Sequence, residues 1–236
     1  MPLTILHQDA HYVAIDKPAG LLVHRSPISA DRVFALQMLR DQLGRRVYPV
    51  HRLDRATSGV LVFGLSAEAA GRLVAQFESR QVSKEYLAVA RGWVASDGTI
   101  DHPVADEDGN GIAQHASTSY RSLARVELPF AVDRHPTARY SLVSVSPHTG
   151  RRQQIRKHFK HISHHLIGDT THGNGRHNRF FREHLGIARL LLMSHRLAFT
   201  HPYTQAGVDI TAPADSDWER IGTLFARSLP HATDRS

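Results

Sequence analysis

The run VLVFGLS, residues 60–66, constrains the fold more than any other stretch of the chain. A short, unbroken apolar segment bounded by polar residues reads as a strand buried inside a sheet. Its neighbours are equally legible. Upstream, HRLDRATSG (51–59) is a polar loop ending in a Thr-Ser-Gly turn. Downstream, Ser66 stands where a side-chain oxygen can cap the helix AEAAGRLVAQFESRQ, in which Ala69, Ala70, Leu73, Val74 and Phe77 share one face.

The rest of the chain extends this pattern. YVAIDKPAGLLVH (12–24) reads as two short strands around a Lys-Pro-Ala-Gly turn. SADRVFALQMLRDQLG reads as a helix starting near Ser29 or Asp31 and ending at Gly44. KEYLAVARGWV and the stretches around 117–126 and 138–146 alternate like strands. GRRQQIRKHFKHI opens a basic helix after Thr149-Gly150, burying Ile155, Phe159 and Ile162. Strands at 190–200 and 207–211 follow, and DSDWERIGTLFARSL closes the chain as an amphipathic helix. Adjacent strands with interspersed helices predict an α+β fold around a mainly antiparallel sheet. With no repeat and no low-complexity linker, residues 1–236 are expected to form one domain.

Composition narrows the chemistry. The chain has no Cys, which excludes disulfides, thiolate nucleophiles and Cys-ligated zinc. Its first residues lack a signal-peptide layout and no apolar run approaches membrane-spanning length, so a soluble, cytoplasmic protein without membrane contact is expected. The formal net charge is +7, and 25 of the 29 basic residues are Arg. Arginine's planar fork suits phosphate and stacks on flat rings, so the balance points to nucleic acid; a coding bias that exchanges Lys for Arg gives the same composition.

Within HRLDRATSG, Asp54 stands between Arg52 and Arg55 and precedes a turn whose Gly59 permits a left-handed or crowded backbone. Two readings of Asp54 stand on the residues alone. It is either a surface ion pair with a neighbouring arginine or a carboxylate fixed at a sheet edge for catalysis.

Six blocks in order decide between them. KPAGLLVH (17–24), HRLDRATSG (51–59), SKEYLAVARG (83–92), TGRRQQIRKH (149–158), LIGDTTHG (166–173) and LLMSHRLAFTHP (191–202) resemble the RluA family of pseudouridine synthases, over residues 5 to about 212. HPTARYSLVSVSPHTGR, GDTTHGNGRHNRFFREHLG and the lack of an extra N-terminal S4-like RNA-binding domain resemble the branch that modifies uridine 65 of tRNA. The resemblance implies the family's catalytic fold: a mixed, largely antiparallel sheet with flanking helices and a central RNA-binding cleft. It also implies tRNA as partner, a monomer with no protein partner, and neither metal nor organic cofactor.

The reaction detaches uracil from C1′, turns it over and rejoins it through C5. Hydrolytic glycosidases need a second carboxylate to handle leaving group and water, whereas here nothing leaves. The resemblance makes Asp54 the catalytic group, as nucleophile at C1′ or as base at C2′. Arg156 matches the arginine that pairs with that aspartate, and Tyr86 the aromatic that packs on uracil, with a phenol able to handle the C5 proton. Arg52 matches the residue that fills the gap left by the flipped base. Ile155 is an apolar pocket wall, and His51, Thr57, Arg151 and Gln154 are expected substrate contacts.

One position departs from the family: Gln153 stands where His is usual, so any ionic role there is lost. His158, His161, His164 and His165 have helical spacings that suit zinc but no adjacent acid or thiol, and are expected to be structural or RNA-contacting. Arg151, Arg152, Lys157, Lys160, Arg176, Arg179 and Arg182 are expected to form a phosphate-binding surface. GNG at 173–175 is too short for a nucleotide-phosphate loop. Two alternatives remain at this level: an RluA-type enzyme acting on another uridine in tRNA or 23S rRNA, and a non-catalytic RNA-binding or RNA-folding protein on the same scaffold.

Overall fold

The structure is a computed structural model that describes residues 2–24, 33–105 and 111–226. In chain order the elements are β1 (Thr4–Gln8), β2 (Tyr12–Lys17), α1 (Ala35–Leu43), β3 (Tyr48–Pro49), β4 (Ser58–Gly64), α2 (Ala67–Glu78), β5 (Ser83–Arg91), β6 (Asp97–Asp101), β7 (Val104–Ala105) and β8 (Ala113–Gln114). They continue with β9 (Ser117–Leu128), β10 (Ala138–Pro147), α3 (Gln154–His161), α4 (Gly175–Leu185), β11 (Leu192–Thr200), β12 (Gly207–Thr211) and α5 (Ser216–Ala226). The fold is α+β, as expected. The chain divides into two compact units, residues 1–86 with 192–213 and residues 87–191 with 214–236, and β5 begins in the first and ends in the second.

The first unit is built on β4, every residue of which is buried. It pairs antiparallel with β2, from Lys17 opposite Gly59 to Tyr12 opposite Gly64, and parallel with β11 at Ser58–Met193 and Gly59–Ser194. That parallel pair, beside the antiparallel ones, makes the sheet mixed. β1 pairs with β2, β3 with the end of β4, and β12 with β11. Beneath the sheet, Val13, Ile15, Leu39, Leu53, Leu61 and Phe63 pack in one apolar cluster.

Local chemistry sets the helix ends. The Ser66 hydroxyl accepts from the Ala69 amide at 3.1 Å, the expected cap of α2, worth about 1 kcal/mol. Gly44 closes α1 in the left-handed region at φ 63°. The start of α1 differs from expectation: its N-cap is Phe34, which has no capping side chain, and Ser29 and Asp31 lie outside the described residues. The second strand expected after the Lys-Pro-Ala-Gly turn reduces to one bridge, Leu22 to Phe34.

In the second unit β9 pairs antiparallel with β10, with a bulge between Leu142 and Val143, and with β6 on its other side. Phe159 of α3, Phe181 of α4 and Tyr140 of β10 are fully buried, and Trp218, Ile221 and Phe225 of α5 are buried with them. Ile162 is only partly buried, so α3 buries Ile155 and Phe159 instead of three evenly spaced residues. Helix α4 has no counterpart in the sequence reading. Asn174, in the discarded GNG, is its N-cap, accepting from the Arg176 amide at 3.0 Å.

Candidate active site

Leu53 explains how a polar loop becomes rigid. Between β3 and β4 the chain buries Val50 and Leu53, so Leu53 joins the apolar cluster while Arg52 is exposed and Asp54 half-buried. Burying one leucine contributes about 2 kcal/mol, comparable to the entropy of fixing one or two residues, about 1–2 kcal/mol each. The turn after Asp54 closes as the Thr57 amide donates to the Asp54 carbonyl at 3.1 Å. Thr57 itself is buried, which makes it part of the turn's footing.

The Lys-Pro-Ala-Gly turn clamps this loop from the other side. The carbonyl of Arg55 accepts from the Gly20 amide at 2.8 Å and from Lys17 Nζ at 3.2 Å. The Arg55 guanidinium in turn donates to the Gly20 carbonyl at 3.0 Å. Lys17 is fully buried, and its ammonium also donates to the carbonyls of Pro18 and Leu21. Gly59 is required by geometry: its φ is +104°, and a Cβ there would lie 2.2 Å from the Ser194 carbonyl oxygen on β11.

Tyr86, on β5, packs against the same apolar cluster and hydrogen-bonds the hydroxyl of Ser194. Burial pushes its phenol up to about 12; the Ser194 bond opposes the rise and the negative charge of Asp54 adds to it. The first unit therefore brings Asp54 and Tyr86 together, with the phenol neutral. Exposed Arg52 adds positive charge nearby, which with burial lowers the pKa of His24.

His51, an expected substrate contact, has partners within the protein. Its ring stacks on Phe77 at 4.8 Å, and Nε2 accepts from the Val62 amide at 3.1 Å. Burial, with the charge of Lys84, holds its pKa down to about 3, so the imidazole is neutral.

The second unit holds the other expected residues. Arg156, on α3, is 5% exposed and gripped by Asp169: Nε donates to Oδ2 at 2.7 Å and Nη2 to Oδ1 at 2.8 Å. Burial alone would raise the Asp169 carboxyl. The Arg156 bonds and the His172 and Thr171 amides outweigh it and hold the pKa below the usual carboxylate value. Ile155 is buried beside Arg156.

Gln154, expected to touch RNA, is buried and spends its amide on the protein. Its Oε1 accepts from Thr149 Oγ1 and the Arg151 amide, and its Nε2 donates to the Ser117 carbonyl and Thr118 Oγ1. It thus shapes the loop before α3. Gln153, in the left-handed region at φ 55°, accepts from His172 Nε2 at 2.8 Å.

The basic surface is partly tied to the protein. Arg151 Nε donates to the His115 carbonyl, Lys157 Nζ to the Ala105 carbonyl, and Arg176 pairs with Asp133. Arg151 and Arg152, with Gly150, Val104, Ala105 and Gln114, line an open cavity of about 190 Å³. The histidines considered for zinc have protein partners: His158 bonds Thr118 and the His102 carbonyl, His164 the Arg91 carbonyl and His165 the His172 carbonyl, while His161 stacks on His102.

Sequence reasoning assigned no role to Lys17, Ser194 or Asp169, although each lies in a block it singled out. The available signal was a polar residue inside an apolar run, as in LIGD and LLMS.

Comparison with known proteins shows the family of the chain. The chain is 47% identical to the tRNA pseudouridine synthase C of Pasteurella multocida (strain Pm70), covering 95% of this chain and 97% of that one. It is 45% identical to the protein of the same name from Vibrio vulnificus (strain CMCP6), covering 94% and 95%. Among solved structures, human RNA pseudouridylate synthase domain containing 1 superposes with a TM-score of 0.71 at 25% identity, over 90% of this chain and 83% of that one. Residues 11–161 match the family described as RNA pseudouridylate synthase, a span that holds Asp54, Tyr86 and Arg156, and the chain belongs to that family.

Proposed function

We propose that the protein isomerises uridine to pseudouridine in tRNA, with position 65 as its target and Asp54 as the catalytic carboxylate. The observation that carries this reading is the Asp54–Tyr86 arrangement: one half-buried carboxylate on a clamped turn, beside a partly buried phenol that stays protonated.

The chemistry follows from those two groups. Asp54 acts on the ribose of the flipped nucleotide, as nucleophile at C1′ or as base at C2′, and uracil separates without leaving. A neutral phenol beside it packs on the ring without adding a second negative charge, and its oxygen handles the C5 proton after the base has turned. Arg156 matches the arginine of the family's catalytic set, and Arg52, exposed on the same loop as Asp54, is read as filling the space vacated in the RNA. Flipping a paired uridine costs a few kcal/mol, which RNA contacts of this kind offset. His51, Thr57 and Gln154 support the site from within the protein; Arg151 remains in this reading a contact to the RNA backbone. The enzyme acts as a monomer in the cytoplasm, where its substrate is.

The relatives named tRNA pseudouridine synthase C support tRNA as the substrate class. The test is incubation of the purified protein with tRNA transcripts that carry uridine at 65, followed by base-resolved pseudouridine detection. Conversion at 65 by the native protein and none by Asp54→Asn, with tRNA binding kept within a few-fold, is the expected result. Conversion confined to other positions removes the position-65 assignment, and full turnover by Asp54→Asn removes the mechanism.

A further inference from the structure

Arg156 is not held by a single contact but by a set of parts behind it. Asp169 is 2% exposed, and four donors fill its carboxylate: Arg156 Nε and Nη2, and the backbone amides of Thr171 and His172, both at 2.9 Å. The backbone of Asp169 is fixed as well. Its carbonyl accepts from Asn178 Nδ2 at 2.8 Å, and Gly173 sits so close that a Cβ would lie 2.0 Å from that oxygen. The same turn is tied to the start of α3. His172 Nε2 donates to Gln153 Oε1 at 2.8 Å, and Gln153 occupies the left-handed region immediately before the helix that carries Arg156.

A guanidinium gripped at both Nε and Nη2 has one plane open to it, because the two donors and two carboxylate oxygens are coplanar when both bonds are short. The pair's contribution is orientation more than stability, since the desolvation of two buried charges largely offsets their attraction. A left-handed glutamine also carries a conformational cost, which is tolerated where the surrounding structure determines it.

We propose that Asp169 is a positioning residue that sets the plane of the Arg156 guanidinium, and that the Gln153–His172 hydrogen bond locks the 169–172 turn to α3 so that the plane is kept. This rests on the reading of Arg156 as a member of the catalytic set. It gives Gln153, the departure from the family's usual His, a defined task that an uncharged amide performs.

The test compares kcat and KM for tRNA in four variants with the native enzyme. Asp169→Asn keeps the shape and the amide contacts but removes the charge and turns an N–H toward the guanidinium. Its kcat is expected to fall about 100-fold, the cost of a reacting group misplaced by about 1 Å, with KM within threefold. Gln153→Ala is expected to lower kcat about tenfold with KM unchanged, and Gln153→Glu, which keeps an acceptor at the same reach, to restore it. A rise in KM with kcat intact would overturn the proposal. Arg156→Gln separates it from the reading beneath it. Wild-type kcat in Arg156→Gln removes Arg156 from the catalytic set. A dead Arg156→Gln beside fully active Asp169→Asn and Gln153→Ala refutes the positioning role alone. Should Asp169→Asn fail to fold, the Gln153 pair decides, because that side chain is only partly buried.

Discussion

The ammonium of Lys17 lies 3.2 Å from the carbonyl oxygen of Arg55, the residue that follows Asp54. A buried lysine thereby fastens one turn to another, and Asp54 inherits its position from a residue 37 places earlier in the chain. Lys17→Met keeps the apolar stem and removes the donor to three carbonyls. Hydrogen bonds from a charged donor are worth about 1.5–3 kcal/mol each, reduced here by relief of the buried charge, so a net loss of about 2–4 kcal/mol is expected. Urea unfolding measures the loss, and kcat is expected to fall with it because the Asp54 turn loosens. Native kcat with lowered stability would separate the clamp from the chemistry.

Tyr86 gives the protein an alkaline signature. Folded, its phenol is raised to about 12 from the ordinary phenol value of 10.0. Between those values the unfolded chain gives up a proton that the folded chain keeps, so stability is whole below pH 10 and declines as pH rises toward 12. Tyr12 and Tyr140 are shifted in the same direction, so the informative comparison is with Tyr86→Phe. Between pH 9 and 11 that variant is expected to lose about 1 kcal/mol less than the native protein, from about 1.4 kcal/mol per pH unit over the upper half of the interval. Equal losses would mean that the phenol is not buried as described.

What the sequence made legible was local. Ser66 and Gly44 end their helices through bonds to residues within one turn, so type and spacing sufficed. Gly59 was readable as a special backbone position, though its crowding comes from Ser194, far along the chain. What escaped the sequence shares a cause. The bonds of Gln154 to Ser117 and Thr118 reach more than thirty positions back along the chain. Asp169 could not be paired with Arg156 from spacing, since a helix and a turn intervene. Helix α4 escaped because its buried face includes His177 beside Phe180 and Phe181, and a buried histidine bonded to Tyr140 breaks the apolar period.

His51 gives an acid-side counterpart. Its imidazole, held down to about 3 in the folded protein against an ordinary value of 6.5, stays neutral while an unfolded histidine takes a proton. Stability is therefore whole above pH 6.5 and falls as pH drops toward 3. His177, lowered to about 4, acts in the same sense. From pH 7 to 4.5, His51→Gln is expected to lose about 2 kcal/mol less than the native protein. Its tRNA affinity at pH 7 is expected to stay within twofold. A tenfold weakening would restore His51 as an RNA contact.

The basic surface is best tested where the protein does not already occupy the charge. Arg176 is engaged by Asp133 and Arg151 by the His115 carbonyl, whereas Arg179 is exposed on α4, one turn beyond Arg176. If α4 meets the RNA backbone, each arginine that neutralises a phosphate releases counterions, and the slope of log affinity against log salt steepens by about 0.7–0.9 per contact. Arg179→Gln is therefore expected to reduce that slope by a little under one, weaken tRNA binding at low salt more than at high salt, and leave kcat at saturating tRNA unchanged. Arg176→Gln is expected to change the slope less, because its charge is shared with Asp133. Titration of tRNA binding between 50 and 300 mM salt, roughly the range in which phosphate contacts are lost, reads both. An unchanged slope in Arg179→Gln would move the docking surface off α4, and a flat salt response in the native protein would exclude phosphate contacts as the source of its affinity.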